Sequence, residues 1–195
     1  MNFLRKIYLI RHGETSWTLS GQHTGKTDLP LTPKGEQDAL LLGKRLKGHT
    51  FEKILTSPLK RAEHTCELAG LAKHVYRDPD LVEWNYGDYE GLTTQEIHKR
   101  SPNWTIFERG APNGESLSDV SARANKILAK IHSIHGDIAL FSHGHFLRIL
   151  AARWLNLPAQ EGKHLLLSAC SLSILSYERQ TPVLALWNDT SHLQS

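Results

Sequence analysis

Short apolar runs that end in polar or charged residues constrain the fold of this chain most strongly. The clearest runs cover residues 6–10, 53–56 and 137–142, and each precedes a stretch with helical spacing. Such runs are typical of buried strands, and strands that alternate with helices favour a mainly parallel sheet covered on both faces. The sequence therefore predicts an α/β fold, a three-layer α/β/α sandwich with a mainly parallel sheet.

Two helix starts carry the same local signal. Thr32-Pro33 and Ser57-Pro58 each combine an N-cap residue with proline at the first helical position. They predict helices that run to about residue 47 and from 59 to 68. Further helices are predicted over 94–100, 116–135 and 145–155, and further strands over 74–77, 166–177 and 183–187. A chain of 195 residues suits one well-buried core, so residues 1–195 are predicted to form a single domain.

The composition argues against several functional classes. The 23 Lys and Arg exceed the 20 Asp and Glu by three, and they form no basic run of five, so a nucleic-acid partner is not expected. The longest apolar run near the N-terminus, residues 7–10, is too short for a signal peptide or a membrane span. A cytoplasmic protein without a membrane partner is therefore expected. Cys66 and Cys170 form no C-x-x-C pair, which predicts neither a disulfide framework nor a zinc knuckle.

Side chains suited to phosphate chemistry follow directly after predicted strands. Arg11 and His12 follow the first strand, Arg61 lies just beyond the second, and His143 follows the strand over 137–142. The carboxyl ends of parallel strands meet at one edge of a sheet, where α/β proteins bind ligands. Arginine forks and helix N-termini bind phosphate, and a neutral imidazole, kept unprotonated by nearby arginines, is a competent nucleophile. Glu83 is the best-placed carboxyl to protonate a leaving oxygen.

The motif order resembles a known enzyme family. Residues 11–15, Arg-His-Gly-Glu-Thr, resemble the R-H-G-[EQ]-[ST] signature of the histidine phosphatase superfamily, also called the phosphoglycerate-mutase-like superfamily. Further segments resemble the family's motifs in the same order, namely 24–32, 56–62, 83–91, 113–116 and 142–144. The similarity extends from about residue 6 to residue 155.

The resemblance implies a phosphohistidine mechanism that needs neither a metal nor a cofactor. His12 would attack phosphorus, while Glu83 would protonate the leaving alcohol and then activate water. The implied catalytic residues are Arg11, His12, Arg61, Glu83 and His143. The implied substrate-binding residues are Thr18, His23, Thr24, Gly25 and Gly144. Thr18 replaces the asparagine of many relatives, and His23 is placed either against the substrate or at the surface.

The resemblance also implies a small cap over the pocket, formed by about residues 88–114. Trp84, Tyr86, Tyr89 and Trp104 are expected to wall that cap, as core or as substrate contacts. The cap is compact and its basic residues are few, which favours hydrolysis over phosphoryl return to a second substrate. The most similar branch is that of the sedoheptulose bisphosphatases, so the predicted partner is a small phosphorylated metabolite, a sugar phosphate or bisphosphate. Arg148 is a possible further substrate contact.

Three alternatives stay open at this point. A cofactor-dependent phosphoglycerate mutase would share the same core residues. A non-catalytic phosphate-binding module would keep the arginines but lose the nucleophile or the acid. A histidine-rich metal protein is the third, because His132/His135 and His143/His145 have loosely ligand-like spacing. Nothing in the sequence indicates the oligomeric state.

Overall fold

The computed structural model describes residues 5–194, and a single mixed sheet organises them. Its strands are β1 Ile7–Arg11, β2 Lys53–Thr56, β3 Val75–Arg77, β4 Ile138–Ser142, β5 Leu172–Glu178 and β6 Thr181–Asp189. The strand order is β3-β2-β4-β1-β5-β6. The first four strands in this order pair in parallel, whereas β5 runs antiparallel to β1 and β6 antiparallel to β5. The predicted mainly parallel sheet is confirmed, with an antiparallel hairpin added at one edge.

Helices cover both faces of this sheet. They are α1 Ser16–Ser20, α2 Pro33–Leu46, α3 Lys60–Leu68, α4 Thr94–Arg100, α5 Ile106–Arg109, α6 Leu117–His132 and α7 Gly144–Trp154. Short 3-10 helices lie at Pro79–Leu81, Gly87–Tyr89, Ala159–His164 and Ser191–Leu193. Within residues 5–194, no helix combines the length and the apolar character that crossing a bilayer requires.

The alternation of side chains along the central strand divides the core in two. Ile7 and Leu9 of β1 pack in a cluster with α6 and α7, whereas Tyr8 and Ile10 pack in a second cluster with α2 and α3. Successive residues of a strand point to opposite faces of the sheet, so one strand contributes to both clusters. This arrangement confirms the predicted three-layer α/β/α sandwich.

One of the two predicted helix starts is confirmed and the other is wrong. The Thr32 hydroxyl accepts a hydrogen bond from the Gly35 N–H at 3.0 Å, and Pro33 is the first helical residue of α2. The helix predicted from Ser57-Pro58 is α3, which begins at Lys60. Its N-cap residue, Leu59, makes no side-chain cap. Ser57 is therefore not an N-cap.

Three further differences concern one strand and two short helices. The strand predicted over 166–177 begins only at residue 172, and helices α1 and α5 were not predicted. The proposed cap, residues 88–114, contains α4 and α5, and its buried residues join the core that α6 and α7 line. The domain predicted over 1–195 includes residues 1–4 and 195, which lie outside the described part of the chain.

Candidate active site

A cavity of about 180 Å³ opens at the carboxyl ends of β1 and β4. We call it the His12 cavity; its lining includes Arg11, His12, Glu83, Gly144 and His145. Seven of the ten predicted site residues belong to its lining; Gly25, Arg61 and His143 are the three that do not. The expected convergence of strand ends therefore produces one cavity backed by buried residues.

His12 is held in one tautomer by its own turn. It is 3% exposed, and its Nδ1 lies 2.7 Å from the Gly13 carbonyl oxygen. Because that oxygen is only an acceptor, Nδ1 carries the proton and Nε2 carries a free lone pair. Burial, followed by the charges of Arg61 and Arg11, lowers the pKa of His12 well below its usual value. The ring is therefore a neutral imidazole with an available nitrogen, which is what a nucleophile requires.

The turn after β1 depends on glycine because two chain segments meet there. The Gly13 N–H donates to the Thr65 hydroxyl at 3.0 Å. A Cβ at position 13 would lie 2.7 Å from the carbonyl oxygen of Gly35. That separation is shorter than a van der Waals contact, so any side chain here would displace either α2 or His12.

Arg11 presents an unsatisfied donor near this nucleophile. Its Nη1 donates to the Leu167 carbonyl at 2.5 Å, whereas its Nε is buried and has no partner within residues 5–194. Burial lowers the pKa of Arg11, and the nearby Glu83 opposes that shift. A Cβ at Gly144 would lie 3.3 Å from the Arg11 guanidinium carbon, so glycine lets the guanidinium lie close to the start of α7. An orphaned cationic N–H beside a helix N-terminus favours an anion.

A buried group of three residues, Arg61, His143 and Ser57, lies behind His12. All three are fully buried; Arg61 Nε donates to His143 Nδ1 at 3.2 Å, and His143 Nε2 lies 2.8 Å from the Ser57 hydroxyl. Since Nδ1 accepts, Nε2 carries the proton and donates to Ser57. Burial and Arg61 lower the pKa of His143 well below its usual value. The rings of His12 and His143 lie 5.1 Å apart.

The loop over residues 24–27 holds the far end of Arg61. Its Nη2 donates to the carbonyls of Thr24 and Gly25 at 3.2 and 2.9 Å, and its Nη1 donates to Thr27 at 2.9 Å. The Gly25 and Thr27 N–H groups donate to Glu90 Oε1 at 2.8 and 2.9 Å. Gly25 is a predicted substrate-binding residue, but its backbone N–H is already engaged, and the loop positions Arg61.

Glu83 replaces the missing side-chain cap of α7. Its Oε1 accepts from the N–H groups of Trp84 and Phe146 at 2.8 and 2.9 Å, and its Oε2 accepts from His145 N–H at 3.0 Å. The N-cap residue of this helix, His143, offers no side-chain bond to it. A carboxylate at a helix N-terminus is favoured by the unsatisfied N–H groups and the helix dipole. The helix start thus fixes the predicted acid at the edge of the cavity.

Three of the predicted substrate-binding residues, Thr18, His23 and Thr24, already make contacts within the protein. Thr18 lines the His12 cavity, but its hydroxyl donates to the Thr15 carbonyl and accepts from the Thr15 N–H, both at 2.8 Å. The Thr24 hydroxyl donates to the Gln22 carbonyl at 3.3 Å. His23 is half-buried against Tyr86, with ring centroids 4.8 Å apart, and burial lowers its pKa to about 4. The hydroxyl of Thr18 thus closes the first turn of α1.

Arg148 and His145 are cavity residues to which the sequence analysis assigned no definite role. Arg148 lies four residues after Gly144, a spacing that puts both on one face of α7. Its Nε donates to the Gly162 carbonyl at 3.0 Å, and its guanidinium lies 4.8 Å from the centre of the Phe107 ring. This helical spacing is the signal in the sequence that could have placed Arg148 at the cavity.

The spacing of the histidines does not produce a metal site. Among the described residues, no three His, Cys, Asp or Glu are grouped so that they could hold a metal ion. His132 Nδ1 bonds the Leu128 carbonyl at 2.6 Å and its Nε2 bonds the Tyr177 hydroxyl at 3.1 Å.

Comparisons with known proteins identify the family of the chain. The model of the histidine phosphatase superfamily, branch 1, matches residues 7–190. An acid phosphatase of Mycobacterium tuberculosis is 38% identical over 97% of this chain and 95% of its own length. A sedoheptulose 1,7-bisphosphatase of Saccharomyces cerevisiae is 39% identical over 80% of this chain and 69% of its own length.

Among solved structures, that of the open reading frame Rv3214 of Mycobacterium tuberculosis superposes with a TM-score of 0.89 at 37% identity. The superposition covers 94% of this chain and 97% of that one. These findings confirm the fold and the phosphatase class that the sequence predicted. The chain belongs to branch 1 of the histidine phosphatase superfamily.

Proposed function

We propose that this chain hydrolyses the phosphate ester of a small metabolite, a sugar phosphate or bisphosphate, through a phosphohistidine on His12. This proposal rests on the tautomer of His12, because the 2.7 Å hydrogen bond from Nδ1 to the Gly13 carbonyl oxygen leaves Nε2 as the reactive nitrogen. The unpaired Nε of Arg11 supports it as a donor for a phosphoryl oxygen. Positioning and charge stabilisation of this kind account for most of the catalysis of phosphoryl transfer.

In the first step His12 Nε2 attacks phosphorus, an N–P bond forms and the P–O bond to the leaving alcohol breaks. The proton for that oxygen comes from the Glu83 carboxyl, which takes it up from solvent as the phosphate anion binds, since the surrounding N–H groups otherwise favour the carboxylate. Oε1 of Glu83 already accepts two N–H bonds and Oε2 only one, so Oε2 is the oxygen that carries the proton.

In the second step water attacks the phosphohistidine, and Glu83 Oε2 takes its proton. The N–P bond breaks, inorganic phosphate leaves, and His12 and Glu83 return to their starting states. Arg11 and the Gly144 N–H hold phosphoryl oxygens. That Arg61 and His143 contact phosphate directly stays a prediction; both are buried behind the cavity lining, and Arg61 retains one unused N–H on Nη1.

Arg148 supports a substrate with a second anionic group. It lines the same cavity as Arg11, about 6 Å along α7 from Gly144 at the rise of an α-helix. A sugar bisphosphate would place one phosphate at His12 and the other at Arg148. The relative whose name specifies such a substrate is the yeast sedoheptulose 1,7-bisphosphatase.

The positions of the cap's basic residues favour hydrolysis over the mutase alternative. Lys99, Arg100 and Arg109 are all exposed and do not line the His12 cavity. A mutase must hold a second phosphorylated substrate and keep water from the phosphohistidine. Cations that lie outside the cavity lining support neither requirement.

The test is phosphate release in EDTA from sugar bisphosphates, sugar monophosphates, phosphoglycerates and p-nitrophenyl phosphate. We expect metal-free turnover that His12→Ala abolishes, and a phosphoenzyme with the acid lability of phosphohistidine. Glu83→Gln should slow turnover of sugar phosphates strongly, whereas the exposed His164→Ala serves as the matched control. Binding of phosphate without turnover of any ester would instead support the non-catalytic module, and interconversion of phosphoglycerates would support the mutase.

A further inference from the structure

The hydroxyl of Tyr86 and the ring of His145 form a proton-ordered pair. The two meet at 2.6 Å through His145 Nδ1, and this is the single hydrogen bond of the Tyr86 hydroxyl among the described residues. Tyr86 is 2% exposed, so its proton needs an acceptor inside the protein. Nδ1 must be that acceptor, since a donating Nδ1–H would leave the phenol proton without a partner. The proton of His145 therefore sits on Nε2.

The Nε2–H of His145 is a donor without a partner in the fold. It makes no hydrogen bond to any described residue, and, unlike the Nε of Arg11, it is not wholly buried. His145 lines the His12 cavity, and it directly follows Gly144 in the first turn of α7. A free donor thus adjoins the place where the phosphoryl group binds.

The surroundings keep this donor uncharged. Burial lowers the pKa of His145 well below its usual value, and burial raises the pKa of Tyr86 well above its own. Aromatic rings enclose the imidazole; its centroid lies 5.4 Å from that of Phe107 and 6.2 Å from that of His23. A neutral N–H among aromatic rings suits a hydroxyl oxygen on a carbon skeleton, whereas it offers little to a second phosphate.

We propose that His145 is a specificity-determining residue whose Nε2–H binds a hydroxyl group of the leaving alcohol, with Tyr86 as the residue that positions it. The site would then select phosphate esters of polyhydroxylated compounds over esters of alcohols that lack a second hydroxyl. This inference rests on the proposed function, because it concerns the alcohol that leaves when His12 is phosphorylated. It adds a recognition element to the phosphate-binding residues and to Arg148.

The experiment compares two monophosphates, so that Arg148 has no second phosphate to bind. One is ribose 5-phosphate and the other is phenyl phosphate, whose leaving group carries no further hydroxyl. The value measured is the ratio of kcat/KM for the two esters. His145→Phe keeps a planar ring but removes the donor, and Tyr86→Phe removes the hydroxyl that sets its tautomer. His135→Phe, at an exposed position of the loop after α6, is the matched control.

We expect His145→Phe to lower the ribose-to-phenyl ratio about tenfold, the effect of losing one hydrogen bond in a secluded site. Tyr86→Phe should change the ratio in the same direction by a smaller factor, and His135→Phe should leave it unchanged. An unchanged ratio in a His145→Phe enzyme that still hydrolyses phenyl phosphate would overturn the subsite and leave the proposed function intact. Release of phosphate from neither monophosphate, with turnover of sugar bisphosphates intact, would overturn the hydroxyl subsite alone. Release from none of these esters would overturn the proposed function as well.

Discussion

Replacing Ser57 by alanine should damage catalysis through a buried residue that does not line the His12 cavity. The Ser57 hydroxyl is fully buried and accepts from His143 Nε2 at 2.8 Å and, more weakly, from the Leu59 N–H at 3.3 Å. In Ser57→Ala the His143 N–H loses its acceptor inside the protein. A buried donor left unsatisfied costs about 1–3 kcal/mol.

The same change removes the preference for the tautomer that Arg61 requires. Arg61 Nε donates to His143 Nδ1, so a shift of the His143 proton from Nε2 to Nδ1 would set two donors against each other. We therefore expect a lower free energy of unfolding, by about 2 kcal/mol, and a fall in Tm of about 4–8 °C. We also expect kcat to fall about tenfold, since this pair is packed behind His12.

Ser173→Ala is the matched control for this prediction. Ser173 is also fully buried, and its hydroxyl accepts from the Asn188 N–H at 3.0 Å in the β5–β6 hairpin. It should lose comparable stability in thermal and urea unfolding, with kcat unchanged in phosphate-release assays. If Ser57→Ala and Ser173→Ala lost equal stability and both kept the wild-type kcat, the argument that Ser57 acts through His143 would be refuted.

Three other outcomes follow from the packing and the pKa shifts. Gly13→Ala should abolish most activity and lower Tm, because its Cβ would lie 2.7 Å from the Gly35 carbonyl; unaltered kinetics would contradict the close approach. Burial lowers the pKa of His12, so below pH 6.5 the unfolded state binds a proton that folded His12 excludes. Stability should then decline by up to about 1.4 kcal/mol per pH unit from this group, while ring NMR shows it neutral. Burial raises the pKa of both Cys66 and Cys170 to about 12, so a thiol reagent at pH 8 should label them only after unfolding.

Local signals in the sequence predicted those elements whose partners are close in the chain. Residues 53–56 were predicted as a strand and β2 covers the same residues. The helix predicted over 94–100 matches α4, whose start is fixed by reciprocal bonds between Thr93 and Glu96, three residues apart. Capping boxes and apolar runs are readable without knowledge of the fold.

Contacts between distant residues were beyond such signals. Ser57 was expected to cap a helix, but its partner is His143, 86 positions later. Gly25 was expected to bind substrate, but Glu90, 65 positions later, accepts its N–H. In each case a long-range partner took the hydrogen-bonding group that local reasoning had assigned elsewhere. The types of the residues at the candidate site were thus predictable, whereas the groups that orient them were not.

The way Glu83 closes the start of α7 bears on the order in which this protein folds. The N–H groups of His145 and Phe146 find their acceptor 62 and 63 positions earlier in the chain, and loop closure over such a separation is slow compared with forming a helical turn. The middle of α7 can therefore become helical on the apolar core before its first turn is secured. Because this first turn carries Gly144 and His145, we expect their amides to lose hydrogen-exchange protection before those of the helix interior. Catalytic competence would then be among the last properties the chain acquires as it folds, and among the first it loses.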